Sequence, residues 1–345
     1  MLMLSLSVTA GQVWPQCGSL SGPSTTWSDG NGSWGVAGNW TGGTPNASTN
    51  ACILDGTSTV TLDTTGNVNG LQLSTGNSLN INTGASLSLV SGTSLSYGGI
   101  TNAGTLTNST GANFTNSGTL DYSGGGTLIN NSGANLSNYG TVIDTSSTSN
   151  TYGTLTNTSG ANLTNYGTID SDLGTLTNSS GASLTNYGRV DTTFGSIYNY
   201  STLTNYGTIE TEFAAGLRNY GTFANTSGAT MVTSTGLINN SGAYITNAGY
   251  IDMFDGGSSN SGTIDNSGRI SIDTESASLY NSGTLNSSGT IENGGGFINN
   301  SCTINNSGTI NLDSTAIATL NSGTINNSGT INNYCTPGGL CYGSC

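Results

Sequence analysis

Four carboxylates recur at one place in a repeating pattern of short strand-like segments. Asp170, Asp191 and Glu210 each follow an aliphatic residue, in the segments TID, RVD and TIE, and Asp121 follows Leu120 in the same way. A row of carboxylates is a ligand set for Ca²⁺, and a close pair can hydrolyse a glycosidic bond. The same row can also be a solvated acidic face that keeps the protein soluble. We expect the solvated face and no cofactor, with Ca²⁺ as the weak alternative.

The rest of the sequence offers little for catalysis. The chain has 345 residues, no histidine and three basic residues, Arg189, Arg218 and Arg269. Histidine bases and Schiff-base lysines are therefore missing, and we expect a protein that is not an enzyme. A net charge of −14 also argues against nucleic acid and anionic membrane surfaces as partners, because both attract clustered Lys or Arg. The sequence has no run of about 18 apolar residues, so we expect no membrane insertion.

The elements that must position these residues follow from an internal repeat. Similar local sequence returns after 19 to 21 residues, as from Leu155 to Leu176 and from Val190 to Ile209. A period of this length is typical of one coil of a solenoid with three short strands. The register persists from Leu71 to Ile331, which is about 13 coils. We therefore predict an all-β fold, a three-faced parallel β-solenoid (β-helix).

Within each coil, the pattern indicates short strands joined by glycine turns. Strands such as Thr154-Leu155-Thr156 alternate an inward aliphatic residue with outward polar residues. Asn-x-Gly segments separate the strands, and we expect their glycines to adopt positive φ; these include Gly167, Gly188 and Gly268. Stacked turns would place Asn and Tyr side chains in ladders at the corners, among them Tyr166, Tyr187 and Tyr206.

Outward threonines raise a further hypothesis, ice binding. Pairs flank an inward leucine at Thr105-Leu-Thr107, Thr154-Leu-Thr156 and Thr175-Leu-Thr177. An ice-binding plane needs many such strands in one flat column. The column is interrupted at Ser196-Ile-Tyr198 and Gly216-Leu-Arg218, which disfavours this function.

The N-terminal region has a different composition. The segment TTWSDGNGSWGVAGNWTGGTPNASTNACILDG contains Trp27, Trp34 and Trp40. It resembles the opening of secreted bacterial β-solenoids of the autotransporter-passenger and filamentous-haemagglutinin-like group, in which W…G-x-W…N-W-x-G-G-x-P-N precedes the first coils. The resemblance implies a secreted or cell-surface protein. We expect the tryptophans to cap the first coil, with a sugar-binding platform as the alternative.

Six cysteines cluster towards the two ends of the chain. They are Cys17, Cys52, Cys302, Cys335, Cys341 and Cys345. An even number in a Ser/Thr/Asn-rich chain indicates disulfides formed in an oxidising compartment, with the pairing left open. A zinc site in CTPGGLCYGSC is the rival interpretation, and the lack of histidine disfavours it.

The first residues, MLMLSLSVTA, allow two interpretations. As a strand they alternate, with Leu2, Leu4, Leu6 and Val8 on one side, and such an arm could add to the open edge of a neighbouring molecule. As a truncated secretion signal they lack a basic start and have a short apolar run. Both interpretations remain open.

These features lead to a domain plan and a functional hypothesis. We expect an arm or signal remnant at residues 1–24, a tryptophan-rich cap at 25–70, solenoid repeats at 71–333 and a cysteine-rich tail at 334–345. The open strand edges of a solenoid polymerise unless they are blocked. We therefore expect an extracellular filament subunit whose partner is itself. The arm would be the donated strand, and Cys17, Cys52, Cys335, Cys341 and Cys345 would form a lock between subunits. The alternative is a monomeric surface adhesin stalk that binds glycans or host protein.

Overall fold

The chain folds as a stack of coils with three faces. The computed structural model describes residues 17–28, 30–144, 152–213, 216–313 and 318–334. In these residues, three parallel sheets contain 15, 15 and 13 strands, and a short 3-10 helix spans Ala37–Asn39. From Asn50 onward, successive strands join sheets 1, 2 and 3 in turn, so three strands make one coil. The predicted three-faced parallel β-solenoid is confirmed.

The strands are short, and most contain four residues. Sheet 1 comprises Ser24–Thr26, Asn50–Ile53, Leu71–Leu73, Thr93–Ser96, Asn113–Asn116, Asn135–Asn138, Asn162–Asn165, Ser183–Asn186, Thr202–Asn205, Thr222–Asn225, Tyr244–Asn247, Thr263–Asn266, Thr284–Ser287, Thr303–Asn306 and Thr324–Asn327. Sheet 2 comprises Gly32–Ser33, Thr59–Leu62, Ser78–Ile81, Gly99–Asn102, Thr119–Asp121, Thr141–Asp144, Thr168–Ser171, Arg189–Thr192, Thr208–Thr211, Thr230–Thr233, Tyr250–Met253, Arg269–Ile272, Thr290–Asn293, Thr309–Leu312 and Thr330–Asn333. Sheet 3 comprises Thr65–Val68, Ser86–Leu89, Thr105–Asn108, Thr127–Asn130, Thr154–Asn157, Thr175–Asn178, Ser196–Asn199, Gly216–Asn219, Leu237–Asn239, Gly257–Asn260, Ser278–Asn281, Phe297–Asn300 and Ala318–Asn321.

Neighbouring coils pair in register, so residues of the same type stack. Leu163 pairs with Leu184, and Asn165 pairs with Asn186. The coil length varies more than predicted, because Asn138 and Asn165 are 27 residues apart while Asn186 and Asn205 are 19 apart. The sheets also begin earlier than Leu71, since Ser24–Thr26 already pairs with Asn50–Ile53.

The interior contains two kinds of column. Strands typically bury their second and fourth residues, and the second is usually aliphatic, as in Leu163 and Leu184. Burying each such side chain contributes about 1.5–3 kcal/mol. The fourth residue in sheets 1 and 3 is usually asparagine, and it is buried too. The prediction that asparagines line the corners was therefore wrong, because alternation places Leu and Asn of Leu-Thr-Asn on the same inward side.

The glycines of the Asn-x-Gly segments have a different role from the one predicted. Gly167, Gly188 and Gly268 do not adopt positive φ, whereas Gly160 and Gly181 in the other turns do. At Gly188 an added Cβ would lie 2.0 Å from the carbonyl oxygen of Gly167 in the preceding coil. Glycine is required there because two backbones approach closely.

Candidate functional site

Sheet 2 carries the predicted carboxylate row on its outward face. Strand pairing sets Asp170 beside Asp191 and Asp191 beside Glu210. Asp121 is separated from them, because Ile143 lies between Asp121 and Asp170 in the column. The row therefore contains three consecutive carboxylates and one isolated carboxylate.

Arg189 forms ion pairs with two of these carboxylates. Its guanidinium lies 2.6 Å from Asp191 and 2.7 Å from Glu210. The hydrogen bond to Asp191 raises the pKa of Arg189. Burial, together with the charges of Asp172 and Asp191, raises the pKa of Asp170 to about 6. Over the described ranges, no three His, Cys, Asp or Glu side chains form a group that could hold a metal ion.

Sheet 3 carries the threonine rows over only part of its length. Thr154 and Thr175 stack in one outward column, with Thr156 and Thr177 in the other. The next strand replaces both residues, so Tyr198 follows Thr177. The regular threonine surface is thus a patch rather than a face running the length of the rod.

The corner between sheets 1 and 2 carries an exposed row of aromatic rings, which we call the tyrosine ridge. It consists of Tyr139, Tyr166, Tyr187 and Tyr206. Adjacent ring centroids are 4.6, 5.0 and 4.8 Å apart, and the planes differ by 8° or less. Because the rings cover one another's faces, their edges and hydroxyl groups are the parts most accessible to a partner.

Further along the same corner, small residues replace the tyrosines and leave an elongated groove of about 820 Å³, which we call the serine groove. Its floor and walls include Ser267, Ser288, Ser307 and Ser328, together with Asn306. An outward amide ladder also lines it, with Asn286, Asn305 and Asn326 each donating to the residue one coil earlier at 2.6–2.8 Å. This polar groove was missed from the sequence. Its only signal was the change from Asn-Tyr-Gly to Asn-Ser-Gly segments.

The N-terminal end of the described solenoid is closed. Trp27, Trp34 and Trp40 are buried, and their rings pack edge to face with centroids 4.9–5.0 Å apart. A disulfide joins Cys17 to Cys52. The tryptophan faces are therefore covered and cannot serve as a sugar platform. The predicted role of Cys17 and Cys52 in a lock between subunits is wrong, because the two sulfur atoms are bonded to each other.

The other end is open in the described residues. In the part of the chain that the structure describes, no further strand pairs with the outer edges of Ala318–Asn321 and Thr324–Asn327, and Thr330–Asn333 is the last strand of sheet 2. Ile331 is 41% exposed, although Ile310, one coil earlier in the same column, is 6% exposed. The backbone edge and the core column are thus accessible together.

The remaining predicted site residues are not part of the rows, the groove or the cap described above. Cys302 is exposed and has no disulfide partner in the described part of the chain; it occupies the column position of Gly283 and Gly323. The arm residues Leu2, Leu4, Leu6 and Val8 lie outside the described residues, as do Cys335, Cys341 and Cys345.

Comparisons with protein-family models, curated proteins and solved structures found no match. Within the described ranges, no helix has the length and apolar character needed to cross a bilayer. The solenoid fold itself fits a repeat protein of structural or adhesin-like type. The resemblance to a named group of secreted solenoids stays a prediction.

Proposed function

We propose that the protein is a secreted structural subunit that assembles end to end into an extracellular filament. The observation that carries the proposal is this end, where no further described strand covers Ala318–Asn321 or Thr324–Asn327 and where a core residue, Ile331, is exposed. An edge of this kind is a template for another strand. The disulfide between Cys17 and Cys52 supports an oxidising, extracellular location.

The two ends differ, which favours a fibre over a closed dimer. The tryptophan cap closes one end, and the other ends in strands that no further described strand covers. A contact between two different surfaces is heterologous, and it continues without limit unless a rotation closes it into a ring. The proposed donor is the arm with Leu2, Leu4, Leu6 and Val8.

The dimensions of the edges restrict how this arm binds. Each of the two edges Thr324–Asn327 and Thr330–Asn333 is four residues long. A straight strand from Leu2 to Val8 is longer than either edge. The arm would therefore pair with one edge and either bend at the corner or extend beyond it.

Negative-stain electron microscopy tests the proposal. The wild type should form fibres of uniform width and variable length. Ile325→Lys/Ile331→Lys, which places charge on the open end, and deletion of residues 1–16 should each leave short rods. Tyr97→Lys, at an exposed side position of the rod, is the control and should still form fibres. Short rods of fixed length from the concentrated wild type would contradict the proposal and favour the adhesin.

A further inference from the structure

The tyrosine ridge and the serine groove lie on the same corner of the rod and repeat with the same spacing. Both are built from the residue that follows the fourth position of a sheet 1 strand, one residue per coil. We propose that two copies of the chain pair side by side and antiparallel, with the ridge of each copy seated in the groove of the other. This pairing does not depend on end-to-end assembly.

The order of corner residues sets a single register. From Tyr139 onward, the corner residues are Tyr139, Tyr166, Tyr187, Tyr206, Thr226, Ala248, Ser267, Ser288, Ser307 and Ser328. A two-fold axis between Thr226 and Ala248 sets every tyrosine opposite a serine, with Tyr206 facing Ser267 and Tyr139 facing Ser328. Four tyrosines meet four serines, and the spacing matches because both rods rise by about 4.8 Å per coil.

The chemistry of the groove suits the accessible parts of the ridge. Tyrosine edges and hydroxyl groups would meet serine hydroxyls and asparagine amides, and a tyrosine hydroxyl can both donate and accept. Asn306 lines the groove and is 2% exposed, and its Oδ1 has no hydrogen-bond partner in the described structure. The cause is Ser287, which replaces the asparagine expected in the preceding coil. That oxygen is itself buried, so in this register Tyr166 would contact the hydroxyl of Ser307 rather than Asn306.

The contact area is large enough for a stable pair. Each ridge tyrosine is about half exposed, and a tyrosine offers about 200 Å², so one ridge would bury about 400 Å². With the groove walls that they cover, the two ridges would bury roughly 1,000 Å², the lower limit for a specific interface. Because the contact is isologous, it closes at two copies. Each copy carries a net charge of −14, so added salt should strengthen the pair by screening repulsion.

Sedimentation of the full chain tests the pairing. The substitutions introduce residue types that already occur at other positions of the same corner. Tyr166→Ser/Tyr187→Ser removes the ridge centre, and Ser288→Tyr/Ser307→Tyr fills the groove. Each places at a corner a residue found there elsewhere, so the fold should persist. Each should raise the dimer dissociation constant more than about 100-fold. Tyr200→Ser/Tyr220→Ser removes a stacked pair on another corner and should leave the constant unchanged.

Disulfide trapping tests the register. In chains with Cys302, Cys335, Cys341 and Cys345 replaced by Ser, a mixture of Tyr166→Cys and Ser307→Cys variants should give a cross-linked heterodimer on oxidation. Each variant alone should not, because its two cysteines would be seven coils apart, about 34 Å. Homodimers from the single variants would instead show parallel packing and overturn the proposal. A wild type that is monomeric throughout the micromolar range would also overturn it, as would equal effects of the ridge and control variants. If fibres form, a width of two rods in micrographs would support the pairing, and a width of one rod would contradict it.

Discussion

The buried asparagine ladder should contribute measurable stability at each of its positions. Asn165 is fully buried, donates to Oδ1 of Asn186 at 2.8 Å and to the carbonyl of Arg189 at 2.9 Å, and accepts from Asn138 at 2.8 Å. Asn165→Ala would leave Oδ1 of Asn186 without its donor, which costs about 1–3 kcal/mol. The lost amide volume adds a cavity cost. We expect the free energy of unfolding to fall by about 3 kcal/mol.

The same strand supplies the matched control. Asn162 points outward and donates to Oδ1 of Asn135 at 3.0 Å in an exposed position. Water can replace that bond, so Asn162→Ala should cost less than about 0.5 kcal/mol. Asn165→Ser should fall between the two, because Ser287 occupies a ladder position and accepts from Asn266 at 3.1 Å.

Urea unfolding followed by circular dichroism measures all three variants against the wild type. Hydrogen exchange of the backbone amides around Asn165 would show whether the loss is local, as expected where stability is a sum over neighbouring coils. Equal costs for Asn162→Ala and Asn165→Ala would refute the reasoning. So would an Asn165→Ser variant less stable than Asn165→Ala.

Three further outcomes follow from other parts of the fold. Cys17→Ser/Cys52→Ser opens a link across 35 residues and should lower the free energy of unfolding by about 4 kcal/mol in urea melts; an unchanged midpoint would contradict this. Because the folded pKa of Asp170 is about 6, above its ordinary 3.8, the folded state binds the extra proton between these values. Stability should therefore fall as pH rises from about 4 to 6, and Asp170→Asn should flatten that slope in melts across pH. Gly188→Ala should lose more than about 3 kcal/mol, since its Cβ would lie 2.0 Å from a carbonyl oxygen, whereas Gly38→Ala has open space and should melt like the wild type.

The sequence was sufficient for the architecture because the repeat leaves few alternatives. Aliphatic residues at a period near 20, with polar residues between them, can be buried only in stacked short strands. The internal asparagines were misplaced because Asn is usually a turn residue, although its position two residues after Leu163 put Asn165 on the inward side. Open strand edges were expected at the ends of a solenoid, but the groove and the exposure of Ile331 could not be predicted, since both depend on the three-dimensional stacking of coils. Ile331 has the same local sequence as Ile310, and only its position in the last described coil exposes it.

The variable coil length has a consequence for how such a gene can change. Coils of 19 and 27 residues coexist in one stack, and both keep the same inward and outward pattern. A tandem duplication or deletion of one whole coil would therefore preserve the stacking pattern and change the length of the rod by about 4.8 Å. Recombination between near-identical repeats could lengthen or shorten the molecule in steps, leaving its cross-section and both of its ends as they are.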